Sequence, residues 1–149
     1  MNQPEILIVG AGGMGALFGS ILHENGLKVV LYDTNTEHIR AIQQAGLKIE
    51  GYGGDRTIHC AATSNLSELE SAEIIIFQCK SHGTRQAAKA VKPLITQESV
   101  CISFQNGLGN EEVMAEELGN DSVMGGLTAM AGVLLGPGKI RDFSRVPSY

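Results

Sequence analysis

Long apolar runs, a basic start, clustered cations and paired cysteines are all missing from this sequence. No stretch approaches the roughly 20 consecutive apolar residues that a bilayer-spanning helix needs. The opening Met1-Asn-Gln-Pro-Glu-Ile-Leu-Ile-Val-Gly10 has no basic region and only a short apolar segment, so it does not read as a secretion signal. No membrane partner is expected, and the cytoplasm is the expected compartment. Lysine and arginine number 11 against 16 aspartates and glutamates, a net charge of −5 and a pI near 5.3. Without a basic cluster, a nucleic-acid partner is not expected either. Cys60, Cys79 and Cys101 are odd in number and widely spaced, which argues against a disulfide framework and against a zinc or other metal site. Cys79 and Cys101 lie in apolar strand-like runs and are expected to pack as small core residues.

What is present fits one domain. At 149 residues the chain can hide roughly 70% of its unfolded surface. Glycine is abundant, 19 residues without a collagen-like period, which directs attention to turns and ligand loops.

Short apolar runs alternate with helix-like stretches. Glu5–Val9 and Lys28–Asp33 read as strands. Gly13–Asn25 reads as a helix with Ala16, Leu17, Ser20 and Ile21 on its packed face, stopped by Gly26. Thr36–Ala45 reads as a second helix, capped by Thr36 and ended by Gly46. The rhythm then changes: Leu47–Glu50 and Arg56–Ala62 read as a hairpin around Gly51-Tyr-Gly-Gly54, inserted into the α/β pattern. Leu66–Glu70 is a short helical piece. Strands are expected at Glu73–Cys79 and Val100–Phe104, and helices at Thr84–Val91 and Glu111–Leu118. Ser122–Ser144 holds β-prone runs broken by Gly125-Gly126 and Gly136-Pro-Gly138. The alternation predicts an α/β, Rossmann-like, doubly wound and mostly parallel sheet with helices on both faces. Such sheets bind ligands at the carboxyl ends of their strands.

The first strand runs into Gly10-Ala11-Gly12-Gly13-Met14-Gly15, a G-x-G-x-x-G in its strand–turn–helix setting. Gly10 permits the tight turn, Gly12 lets a diphosphate approach the backbone, and Gly15 lets helix and strand pack closely. The helix N-terminus offers free N–H groups and a partial positive charge to the phosphates. A Gly-rich turn of another α/β protein, including an adenosyl-methionine methyltransferase, would share this loop. Asp33 ends the second strand 18 residues after Gly15, near the roughly 20-residue offset of a ribose-binding acid. Its charge would repel a 2′-phosphate: like charges about 4 Å apart cost on the order of 4 kcal/mol at an effective dielectric of 20. Asp33 therefore favours NAD over NADP, although Arg40 and Lys80 are available to hold a phosphate. A solvated aspartate or a helix cap is the plainer role. In a parallel sheet, Lys80 and Asn106 reach the same edge as Gly10 and Asp33. Lys80 suits a cofactor phosphate or a substrate carboxylate, against the plainer role of a loop lysine. Asn106 suits the nicotinamide ribose or the substrate, against that of a turn residue beside Gly107.

Taken together, Gly10–Gly15, Glu37-His-Ile, Gly46-Leu-Lys-Ile-Glu-Gly51, Lys80, Gln105-Asn-Gly-Leu-Gly109 and Gly136-Pro-Gly-Lys139 resemble the ketopantoate reductase family and its 2-hydroxyacid dehydrogenase relatives. The resemblance implies hydride transfer from a nicotinamide dinucleotide to a 2-keto acid. It implies that Gly10–Gly15 cradle the diphosphate, that Lys80 contacts the cofactor, and that Asn106 touches cofactor and substrate. It places the Ala131 backbone near the nicotinamide. The family usually takes NADP; Asp33-Thr-Asn35 stands where a basic residue is often found. It also implies a helical C-terminal domain that supplies the acid catalyst and is absent from residues 1–149. No catalytic acid is then expected in this chain, which alone would turn over slowly or not at all. His82 is a candidate for the crevice, with a solvated loop position the plainer one; His23, His38 and His59 have no partner visible in the sequence. A stand-alone dinucleotide-sensing regulatory module and an adenosyl-methionine methyltransferase are the alternatives, and a homodimer is an open assembly.

Overall fold

A computed structural model describes residues 2–144. Its elements in chain order begin with β1 (Ile6–Val9), α1 (Gly13–Glu24), β2 (Val29–Tyr32), α2 (Thr36–Ala45), β3 (Leu47–Gly51), β4 (Arg56–Ile58) and β5 (Ala61–Thr63). They continue with β6 (Ile74–Phe77), α3 (Thr84–Val91), β7 (Val100–Ser103), α4 (Asn110–Leu118), β8 (Val123–Gly125), β9 (Gly132–Gly136) and β10 (Lys139–Asp142). Six strands form one sheet in the order β5-β2-β1-β6-β7-β8. Every neighbouring pair in it is parallel. The chain steps outward from β1 in one direction through β2 and in the other through β6, so strand order switches between β1 and β6.

The strands are uniformly apolar because both faces are covered. Ile6 and Ile8 point into a core shared with Leu17 of α1 and Ile39 and Ile42 of α2. Leu7 and Val9 point the other way, against Ala88 and Val91 of α3 and Met114 of α4. Leu7, Ile8, Leu31, Ile75 and Phe77 have no exposed surface, and each such burial contributes roughly 1.5–3 kcal/mol.

The inserted hairpin is present, but it belongs to a second sheet. β3 and β4 pair antiparallel, β10 lies parallel to the free edge of β3, and β9 closes the order β4-β3-β10-β9. α1 packs between this sheet and β1–β2. The strand expected over 56–62 divides: β4 stays with β3, while β5 crosses to the edge of the main sheet beside β2. One straight strand cannot hydrogen-bond to two sheets, and the polar His59 marks the break. The cap of α2 is Asn35 rather than Thr36. Asn35 is the extended residue before the first turn, and its side chain accepts from the His38 N–H at 3.1 Å. The expected helical piece after Asn65 is a single 3-10 turn, Leu66–Glu68.

Candidate functional site

Because all six strands of the main sheet run the same way, their carboxyl ends share one edge. Asp33 follows β2, Gly10 follows β1, Lys80 lies beyond β6 and Asn106 beyond β7; those strands are consecutive in the sheet. Three inter-strand spacings of about 4.8 Å make this a track of roughly 14 Å, which suits an extended ligand.

The glycine loop has the shape its sequence implies. Gly10 has φ +98°, and a Cβ there would sit 2.5 Å from the Cys79 nitrogen, so no other residue fits without displacing the chain after β6. Gly12, at φ −67°, has no heavy atom of the described residues within 4 Å of where a Cβ would stand. The space in front of it is open. A Cβ on Gly15 would fall on the Gly10 carbonyl oxygen, the close helix–strand contact expected of it. Among the described residues no side chain caps α1, and its first turn carries no acid. Its N–H groups and positive end therefore remain available to an anion.

Ala11, in the middle of the loop, is fixed from both sides. Its N–H donates to Asp33 Oδ2 at 2.8 Å, and its carbonyl is 2.7 Å from His38 Nε2. The other ring nitrogen of His38, Nδ1, accepts from the Gly138 N–H at 2.9 Å. With Nδ1 as the acceptor, Nε2–H donates to the Ala11 carbonyl. His38, 1% exposed, thus links the loop to the β9–β10 turn. The second sheet braces the loop elsewhere too: Gly13 lies against Gly132, whose N–H donates to Met14 Sδ at 3.0 Å. The signal for His38 was its place beside Ile39 and Ile42 on the inward stripe of α2; its partners are far away in sequence. Asp33 Oδ1 accepts from the Asn35 N–H at 2.9 Å, so the carboxylate orders the turn as well as the loop.

At the other end, a polar network sets the two strand-end loops against each other. Gln105 Nε2 donates to the Cys79 carbonyl and to Thr84 Oγ1, both at 2.8 Å. Thr84 Oγ1 donates to Asn110 Oδ1 at 3.0 Å, and Asn110 Nδ2 donates to the Asn106 carbonyl at 3.1 Å. Ser81 Oγ donates to the same carbonyl at 2.9 Å. The Asn106 main chain is therefore held in place, and its side chain is exposed. Sequence reasoning did not assign Ser81, Thr84 or Asn110; the Gln105–Gly109 motif was the only pointer to them.

Two cavities open along the track. One, of about 440 Å³, is lined by Gly10, Asp33, Thr34, His82 and the apolar Ala87 and Ala90 among others. The second, of about 400 Å³, is lined by Gly13, Met14, Asn106, Gly132, Val133 and Leu134 among others. Gly12, Gln78, Cys79 and Lys80 line both. Ala131 lines neither: its N–H donates to Ser144 Oγ and its carbonyl accepts from the Phe143 N–H. Arg40 is exposed and also lines neither. Cys79 packs against the core but is only half-buried and lines the wall, because the chain has already left β6 there; Cys101 is fully buried. Burial pushes the Cys79 thiol up and the Asp33 charge adds to the effect, so Cys79 stays a neutral thiol at neutral pH. The residues present fit a dinucleotide: open space before a bare glycine, an uncapped helix end, a carboxylate on one side and an amide on the other.

A family model described as ketopantoate reductase PanE/ApbA matches residues 6–145. The 2-dehydropantoate 2-reductase of Lactococcus lactis is 33% identical over 141 residues, 93% of this chain and 45% of its own length. That of Pyrococcus abyssi is 35% identical over 137 residues, 92% of this chain and 44% of its own length. Among solved structures, D-mandelate dehydrogenase in a ternary structure with NADH and anilino(oxo)acetate superposes with TM-score 0.84 at 27% identity, over 93% of this chain and 45% of that one. The chain thus spans a little under half the length of the curated relatives it matches.

Proposed function

Since this chain belongs to the ketopantoate reductase family, we propose that it is the dinucleotide-binding part of an oxidoreductase that reduces a 2-keto acid, 2-dehydropantoate or a similar branched acid, with NADH. The observation that carries this reading is the track of Asp33, Gly10–Gly15, Lys80 and Asn106 along one sheet edge. When bound, the reduced nicotinamide supplies a hydride to the keto carbon. The chain's own residues bind and orient. Main-chain N–H groups at the start of α1 hold the diphosphate, and Lys80 adds a positive charge beside it. Asp33 accepts from the adenosine ribose hydroxyls with the lone pairs that Ala11 and Asn35 leave free. Ala87 and Ala90 offer the adenine an apolar shelf. Asn106 offers its exposed amide to the nicotinamide ribose and to the substrate, with Val133 and Leu134 as the apolar wall beside it. Ala131 contributes through the strand it precedes.

The choice of NADH over NADPH rests on Asp33, whose charge opposes a 2′-phosphate. The NADH named with D-mandelate dehydrogenase, which shares this fold at 27% identity, supports it. The proton for the new hydroxyl is assigned to the part of the longer relatives that this chain does not span. A positioned acid is worth roughly 10²–10⁴ in rate, so a polypeptide of residues 1–149 assayed by itself is proposed to bind cofactor with little turnover.

Titrating the chain with NADH, NADPH and adenosyl-methionine, followed by nicotinamide fluorescence or calorimetry, separates the readings. Binding of NADH ahead of NADPH is expected. Binding of adenosyl-methionine alone would overturn the proposal, and turnover of 2-dehydropantoate at ordinary enzyme rates would show that the proton donor lies within residues 1–149.

A further inference from the structure

Among the described residues, one buried side-chain nitrogen in the crevice has no hydrogen-bond partner. The side-chain Nε2 of Gln78 is fully buried and makes no hydrogen bond with the described residues. Gln78 follows β6 directly, and its own N–H donates to the Val9 carbonyl at 2.8 Å, which places it at the switch between β1 and β6. A Cβ on Gly10 would lie 2.8 Å from the Gln78 carbonyl carbon, so the residue stands against the glycine loop. With Gly12, Cys79 and Lys80 it lines both cavities, and so occupies the waist between the adenosine side and the nicotinamide side.

A buried amide donor left without an acceptor is unfavourable. Gln78 borders the same two cavities as Gly12, and an anionic ligand seated at that waist would offer acceptors. We propose that Gln78 is a cofactor-binding residue of this chain whose carboxamide donates to the diphosphate of the dinucleotide. This deepens the functional reading given above and rests on it. Lys80 supplies charge at the same waist, whereas Gln78 supplies a directed donor that is unsatisfied until the ligand arrives.

The consequence is a split in sign that a purely structural residue would not produce. Gln78→Met keeps the volume and removes the orphaned amide. The free chain should gain roughly 2–4 °C in thermal midpoint, while its affinity for NADH falls about tenfold. Gln78→Glu, isosteric and negative, should weaken NADH further, and more so at low salt than at high salt. AMP, which has no diphosphate, should bind the unaltered chain and Gln78→Met equally. Equal NADH affinity in the unaltered chain and both variants overturns the inference alone. So does an AMP affinity that falls along with that for NADH, because the residue would then act by shaping the loop. Failure of the unaltered chain to bind NADH removes the functional reading and this inference together. Should Gln78→Met fold poorly, the Gln78 side-chain amide resonance gives the same answer: it should shift when NADH is added and stay in place with AMP.

Discussion

Replacing His38 by alanine measures how far the glycine loop depends on the second sheet. The imidazole is 1% exposed and makes two hydrogen bonds, one to Ala11 in the loop and one from Gly138 in the β9–β10 turn. Alanine removes both and leaves the Ala11 carbonyl and the Gly138 N–H facing a space the size of the lost ring. Each orphaned group costs about 1–3 kcal/mol, and the lost packing adds to that, so a total of about 3–5 kcal/mol is expected. For a domain of this length 1 kcal/mol corresponds to roughly 2–4 °C, which puts the fall in thermal midpoint on the order of 10 °C. The loop is also freed on one side while Asp33 still holds it on the other, so NADH affinity should fall about tenfold in the variant that remains folded. Thermal and urea unfolding give the first quantity, and fluorescence titration below the transition gives the second. His38→Gln, which keeps a donor for Ala11, should recover part of both losses, whereas His38→Leu refills the space without bonding either group and should recover none of the NADH affinity. A midpoint within 2 °C or so of the parent for His38→Ala would refute the reasoning, since water would then be satisfying both groups and the bridge would not support the loop.

Three further outcomes follow from the same geometry. Gly12→Ala meets no neighbour and adopts an ordinary backbone angle, so stability should stay within about 0.5 kcal/mol in urea melts while NADH binding weakens at least tenfold; parallel loss of both would mean the loop is occupied by protein. Asp33→Asn presents an NH₂ to one of the two N–H groups its carboxylate serves, so the thermal midpoint should fall, and the preference for NADH over NADPH should shrink because the charge opposing the 2′-phosphate is gone; paired titrations read the ratio, and an unchanged ratio contradicts the role given to Asp33. Burial pushes the thiols of Cys60 and Cys101 up to about 11 from an ordinary 9.0. In the unfolded chain they ionise first, so stability is intact below pH 9 and is lost as pH rises toward 11, by up to roughly 2–3 kcal/mol for each thiol; a Cys60→Ala, Cys101→Ala chain should show a flatter stability profile over that window in pH-resolved urea melts.

The placement of most of the candidate site could be read from the chain because its parts follow apolar strands. Four-residue apolar runs ending at Gly10, Asp33, Lys80 and Asn106 implied parallel strands, and parallel strands force those ends onto one edge. Ala131 was placed by likeness alone, and its backbone groups are engaged by Ser144 and Phe143 rather than lining a cavity. His38 was left without a role because its partners are 27 residues away on one side and 100 on the other. Gln78 drew no attention after a strand of isoleucines, since an amide beyond a strand end says nothing of whether it is satisfied.

The amino-acid order by itself determined the alternation of elements, the conformation of the Gly10–Gly15 turn and the acid beside it, because each depends on backbone stereochemistry and apolar periodicity acting over a few residues. The tertiary structure decided that β5 leaves its hairpin for the main sheet, that β10 completes a second sheet beside β3, and that Ala11 is held from both sides. Those outcomes are set by which strand edges and buried polar groups find partners across the whole chain, and pairing at such distances leaves no mark in any local stretch of residues.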